Sequence, residues 1–469
     1  MHLPRVEHGW APRLDVANGP LYRAIAAAIG KAVETGELRP GERLPTHRAL
    51  AEQLGVDLTT ITRAYAEARR RGLLEATVGR GTFVRTASPA APRGHTDGPV
   101  DLSMNLPPLP VDPSLPDLLR HGLGRLLSGV APAELLTYRA SGGTVEEAAA
   151  GANWLRPTLG DLDPARVLVS PGAQPALAAI LATITTPGDA VLADQLSYPG
   201  IRGAAAQAGV RLIGIAADAQ GMLPEAIDEA CRGTSRVQAL YCIPTIHNPT
   251  TVTMDLPRRR AIVDATRQHN LRIIEDDAYG LLPSDPLPAL AALDPARGYH
   301  VSTMSKIMAP ALRVAWLVAP DGQAAARVAE ALRCTILMAS PLLTGLVATW
   351  IREGTASVIL DAIRRESAAR QRMARNALPD GSFAAHPEGL HIWLRLPQSW
   401  DRRDFVAELR RQDGLAVVPS DAFRVDGEAP EAIRLSLGAA PDREALARAL
   451  RLVTSTLQQE RRTRFAGVV

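Results

Sequence analysis

The run TMSKIMAPALR, residues 303–313, holds Lys306, one of only two lysines in the 469-residue chain; the other is Lys31. Arginine carries nearly all the remaining positive charge. A lysine kept in such a background points to the chemistry a guanidinium cannot perform, the condensation of a primary amine with a carbonyl. Lys306 lies just beyond one short apolar run, YHVST, and before another, RVAWLV. Working outward, RVLVS, AVLAD, RLIGIA, VQALYC and RIIED precede them. Seven such runs, several joined by helix-like segments, predict a mostly parallel α/β sheet. Ligands gather at the strand C-terminal ends of such sheets.

The chemistry-bearing residues fall at those ends. After the first run, Gly172, Ala173 and Gln174 open a predicted helix, whose free N–H groups and dipole suit a phosphate. After the second comes Tyr198, in a chain with 4% aromatics, suited to stack on a flat ring. The fourth is followed by HNPT, where Asn248 offers an amide. The fifth ends in EDDAYG, with Glu275, Asp276, Asp277 and then Tyr279; the sixth leads to Ser305, Lys306 and, seven positions on, Arg313. A planar ring, a phosphate, a buried carboxylate and a Schiff-base lysine together specify pyridoxal phosphate, whose ring nitrogen needs a facing carboxylate and whose aldehyde needs the amine. Asp277 reads as a helix cap or surface carboxylate, and His247 and His391 as structural.

The rest of the chain is bounded by composition. Hydrophobic content of 46%, charged content of 22% and a net charge of +3 describe a globular protein in which nucleic-acid affinity must come from a local patch. Cys231, Cys242 and Cys334 are far apart, without zinc spacing. No metal site is expected. No apolar run approaches the roughly 18 residues of a membrane span, so no membrane partner is expected and a cytoplasmic location is.

Residues 86–100 read as a Pro/Gly/Ala/Ser-rich linker. Upstream, residues 11–85 carry Lys31 and eleven arginines against eight acidic groups. Three helix signals and a hairpin follow one another there. Leu21, Ile25, Ala28, Ile29 and Val33 share the face of the first; Thr46 and Gly55 bound the second; Asp57 and Gly72 bound the third. A Gly79-Arg80-Gly81 tip then makes the hairpin. Such a series is a winged helix-turn-helix. Lys31 and Arg69 to Arg71, by themselves, read as solvated.

The series LRPGERLPTHRALAEQLGV, TTITRAYAEARRRGLL and VGRGTFV resembles the DNA-binding module of the GntR regulators. That resemblance implies double-stranded operator DNA as a partner, with Arg48, Thr59, Thr60, Thr62 and Arg63 as base readers or phosphate contacts and Arg80 at the minor groove. The chain departs from the family at Asp57-Leu58, where Ser-Arg is common. Residues 101–469 resemble the fold-type I PLP-dependent aminotransferases, which implies a Schiff base at Lys306 and Asp276 paired with the pyridinium. It further implies Asn248 and Tyr279 on the ring hydroxyl and Tyr198 stacked. Gly172, Ala173, Gln174, Ser305 and Arg313 would hold the phosphate, with Thr303 a further contact. Arg434 would clamp a carboxylate, and Tyr138 would serve the neighbouring subunit of a homodimer. The fusion is similar to the MocR/GabR regulators and implies a PLP-dependent transcriptional regulator that senses PLP or a small amino compound at Lys306. The alternative is an amino acid aminotransferase with a vestigial or regulatory DNA-binding module; in the first reading any aminotransferase activity is residual.

Overall fold

The computed structural model describes residues 10–12, 20–35, 37–39, 41–70, 73–77, 81–84, 98–129 and 132–459. The chain divides into two compact units at Asp97/Gly98. In the first, helices α1 (Leu21–Glu34), α2 (His47–Leu54) and α3 (Leu58–Arg70) are followed by strands β1 (Leu74–Thr77) and β2 (Gly81–Val84), paired antiparallel. Local chemistry sets the boundaries. The Thr46 side chain accepts from Ala49 N at 3.2 Å to start α2, and Gly55 closes it in the left-handed conformation, φ 65°. Asp57 Oδ1 accepts from Thr59 N at 2.7 Å at the head of α3.

Ile25, Ala26, Ile29 and Ala32 of α1 pack with Leu50, Ile61 and Tyr65. The buried face is therefore turned slightly from the expected one, and Ala28 and Val33 are only partly buried. Helices α1 and α3 pack together, with Ala26 and Ala32 inside the shared core and Val33 partly buried against it. Lys31 is exposed, as its polar neighbours suggest.

The second unit is built on one seven-stranded sheet. Its strands are β3 (Val167–Ser170), β4 (Ala190–Asp194), β5 (Arg211–Ile215), β6 (Val237–Cys242), β7 (Arg272–Asp276), β8 (Gly298–Thr303) and β9 (Ala315–Val318). Their order is β3-β9-β8-β7-β6-β4-β5, and β9 alone runs antiparallel to its neighbours. These are the seven apolar runs of the sequence. Every residue of β4, β8 and β9 is buried, as continuous apolar runs require when helices cover both faces. Helix α4 (Val145–Leu159) lies so close that a Cβ on Gly151 would stand 2.6 Å from Trp316 Cε3 on β9.

A second, antiparallel sheet was not expected from the sequence. Its strands β10 (Phe383–Ala385), β11 (His391–Arg395), β12 (Val418–Pro419) and β13 (Ala432–Ser436) are ordered β10-β11-β13-β12. Leu394, Ile433 and Leu435 from this sheet share a core with Phe405, Leu409 and Leu446 of the helices Arg402–Asp413 and Arg443–Leu457. Val100 and Leu102 are buried in the same core, so Val100, read from the sequence as the end of a linker, is part of the packed unit. Among the described residues no helix is long and apolar enough to cross a membrane.

Candidate cofactor and effector site

Five strand ends, those of β3, β4, β6, β7 and β8, and the β13 strand place the site. At the end of β3, Gly172 takes φ 114° and starts helix α5 (Ala173–Ile184) without any side-chain cap, leaving the first N–H groups of α5 for a ligand. Arg313, itself left-handed at φ 48°, lays its guanidinium on this turn: a Cβ on Gly172 would stand 2.4 Å from Nη2. Ser305 Oγ is buried with no partner. A helix head without a cap, a guanidinium and an unpaired hydroxyl are groups that can hold a phosphate dianion. Gln174 turns its amide away, Nε2 donating to Gly200 O at 2.7 Å, so only its backbone N–H is on offer. The Thr303 hydroxyl accepts from Ser305 N at 3.2 Å as the cap of the turn Met304–Ile307. Its first task is to present Ser305 and Lys306.

Strand alternation sorts the three consecutive acids. Glu275 accepts from Leu290 N and Ala291 N at 3.1 and 2.9 Å. Asp276 accepts the Tyr241 hydroxyl at 2.7 Å, and burial pushes its carboxyl up to about 6 despite that bond and the nearby Lys306 amine. Asp277 is neither a cap nor a surface group. It is buried 3.0 Å from His300 Nε2, and burial together with Glu275 raises its pKa. Period-two geometry on β7 sends only the middle acid toward Tyr241.

Lys306 is part-buried, and Nζ donates to the backbone carbonyl of Asn105 at 2.5 Å. Burial and the positive charges of Arg434 and Arg313 bring its pKa down to about 8, against the opposing pull of Asp276. Lys306 therefore lies within electrostatic reach of Arg434, Arg313 and Asp276. Tyr198, half-buried at the head of the helix Pro199–Gln207, feels both Asp276 and Arg313. Tyr279 is buried, and its hydroxyl accepts from Asn105 Nδ2 at 2.8 Å, leaving its own proton to donate.

Arg434 on β13 is 6% exposed, and no carboxylate among the described residues pairs with it. Nη1 donates to Asn248 Oδ1 at 2.8 Å, Nη2 to Ser103 O, the guanidinium lies 4.9 Å over Phe423, and Nε has no partner. A buried cation in that state favours an incoming anion. Asn248 is held by its loop, which Arg259 fixes through bonds to Met254 O, Pro288 O, Pro244 O and Thr245 Oγ1.

Several groups here carry no local signal. Asn105 uses both amide N–H groups, on Tyr279 and on His391 Nδ1 at 3.0 Å, while its Oδ1 accepts from Ser436 Oγ at 2.9 Å. Burial and Arg434 push His391 down to about 3, so it is a neutral acceptor at Nδ1. His247 Nδ1 lies 2.8 Å from Thr250 Oγ1, and its Nε2 is 3.4 Å from Asp194 Oδ2. Both histidines bond to neighbouring groups of the fold. Asn105 and Tyr241 meet their partners 174 and 35 residues away, beyond the reach of any motif. Tyr138 is 82% exposed, with Leu136 and Val145 nearby in sequence also exposed.

In the DNA-binding unit, Arg48, Thr59, Thr62 and Arg63 are exposed and Thr60 is half-buried. The Thr59 hydroxyl donates to Asp57 Oδ1 at 2.5 Å and the Thr62 hydroxyl to Leu58 O at 2.9 Å, so both present mainly an acceptor outward. Arg80 lies outside the described residues.

Comparison with known proteins agrees with this architecture. The family "Aminotransferase class I and II" matches residues 131–453, and "Bacterial regulatory proteins, gntR family" matches residues 21–84. The HTH-type transcriptional regulator YdeF of Bacillus subtilis is 31% identical over 96% of this chain and 96% of its own. The vitamin B6 salvage pathway transcriptional repressor PtsJ of Salmonella typhimurium is 29% identical over 91% and 96%. Among solved structures, LysN, the α-aminoadipate aminotransferase of Thermus thermophilus crystallised with N-(5'-phosphopyridoxyl)-L-leucine, superposes with a TM-score of 0.68. It is 25% identical, over 84% of this chain and 98% of its own.

Proposed function

The chain belongs to the aminotransferase class I and II family, joined to a gntR-family head in the MocR/GabR arrangement, and on that premise we propose how this PLP-dependent transcriptional regulator reads its effector. The cofactor is held at Gly172, Ala173, Gln174, Ser305 and Arg313 through its phosphate and at Asp276 through its ring nitrogen. Tyr198 covers one ring face, and Asn248 and Tyr279 bond the ring oxygen. When bound, pyridoxal phosphate supplies an aldehyde for a primary amine and an electron-withdrawing ring. Lys306 is the chain's own amine for that aldehyde, and an amino-compound effector competes with it.

The observation that carries this reading is Arg434, a buried guanidinium without a carboxylate partner among the described residues, whose charge acts on Lys306. It selects an effector bearing both an amine and a carboxylate, which it grips by charge-assisted bonds. The effector regulates by the difference in its affinity for the states of the protein that bind DNA well and poorly. The protein acts as a homodimer, presenting two winged helices to paired half-sites. The exposed Leu136, Tyr138 and Val145 supply part of that contact, and Tyr138 reaches the partner's site.

Visible titrations of the full-length protein with amino acids and with amines lacking a carboxylate test the site. Carboxylated amines should perturb the cofactor band at concentrations at least about tenfold lower, and Arg434→Gln should erase the difference. A Lys306→Ala protein that kept every spectral response and every change in operator affinity would contradict the assignment. Footprinting of the upstream promoter region tests the DNA side. Because lysine, aspartate and arginine are all retained, the aminotransferase reading stays in view; sustained turnover with a keto acid at about 1–10³ per second would favour it.

A further inference from the structure

Residues 102–106 run past the two cations just described. Leu102 is buried and pinned by two backbone bonds, donating to Ala416 O at 2.8 Å and accepting from Ser436 N at 3.0 Å. Met104 is 61% exposed. Between and beyond them, the carbonyl of Ser103 accepts from Arg434 Nη2 and the carbonyl of Asn105 accepts from Lys306 Nζ. The Asn105 side chain and the Leu106 N–H, 3.3 Å from Ser436 Oγ, hold the far end. Gly438 presses on it from outside: a Cβ there would stand 2.0 Å from Leu106 O.

We infer that residues 103–106 are an intramolecular occupant of the effector site, a strap whose Ser103 carbonyl takes the guanidinium that a carboxylated amine needs, and which the effector displaces. This rests on the reading of Arg434 and Lys306 proposed above. A carboxylate bonds a guanidinium more strongly than a neutral carbonyl does, so it wins Arg434 from Ser103. The strap therefore lowers effector affinity by competition. Its release is the change that travels toward residue 98 and the DNA-binding unit, because the pinned Leu102 is the next point along the chain.

Hydrogen exchange on the full-length protein, with and without N-(5'-phosphopyridoxyl)-L-leucine, tests this; pyridoxamine phosphate, which lacks the carboxylate, is the control. The leucine conjugate should speed exchange at Met104–Leu106 by about tenfold or more, within the usual range of coupling between sites, and the control should not. Gly438→Ala, which crowds the strap without touching Arg434 or Lys306, should show fast exchange unliganded and bind the conjugate more tightly. Its operator affinity should match that of conjugate-loaded wild type. Asn105→Gly, which frees Tyr279, His391 and Ser436 from the strap, should do the same if Gly438→Ala does not fold. Tight conjugate binding with unchanged exchange would overturn the strap and leave the site intact. No binding of either ligand would overturn both.

Discussion

At the scale of single residues, burial has opposite consequences for the two central groups. The Lys306 pKa of about 8 means that its reactive, neutral form grows as pH rises through that value. Condensation of apoprotein with pyridoxal phosphate should accelerate between about pH 7 and pH 9, followed as growth of the visible band, and should be absent in Lys306→Ala. Asp276 is raised to about 6, above its unfolded value. Its contribution to apoprotein stability is thus fully present below about pH 4, falls as pH rises through about 6, and stays lost above it. Asp276→Asn apoprotein should then match or exceed wild type in thermal stability at pH 8, by up to roughly 2–3 kcal/mol, while binding cofactor poorly; calorimetry and a titration check the two halves. Lys306, Asp276 and Arg313 were legible because each sits beside a strand-like run. Asn105, Ser103 and Tyr241 were not, since their roles depend on which strands become neighbours. Asp277 was misread because only strand alternation, with His300 opposite, shows that it turns inward.

At the scale of elements, two glycines mark where backbones must come close. Gly172→Ala would force a Cβ onto Arg313 at a φ of 114°, straining the turn by about 1–3 kcal/mol. Cofactor affinity should fall by roughly tenfold or more, measured by equilibrium titration, with little change in secondary structure. Gly151→Ala would drive a methyl into Trp316 between α4 and β9, an overpacking cost of about 1–3 kcal/mol visible in chemical denaturation with the site's spectrum retained. The seven large-sheet strands were readable because burial on both faces writes them as unbroken apolar runs. The small sheet has strands of two to five residues, too short to show a period. The face of α1 drifted for a related reason: in an alanine-rich helix, periodicity does not say which alanines are inside.

At the scale of the whole chain, the excess of arginine in residues 11–85 makes binding to DNA an electrostatic event. Operator affinity should fall log-linearly with salt, and Arg48→Ala or Arg63→Ala should lower both affinity and slope. Tyr138→Asp should shift sedimentation toward monomer and weaken operator binding more than the loss of one side chain on a surface would suggest. The scarcity of lysine has a practical outcome of its own. Lys31 is exposed on α1, whereas Lys306 is part-buried beneath the Asn105 carbonyl. Apart from the chain's α-amine, an acylating reagent meets one open target and one sheltered target, on different halves of the polypeptide. Borohydride fixation of bound vitamer should therefore yield a single modified tryptic peptide, and the mass ladder of intact protein would count ligand stoichiometry without any chromophore.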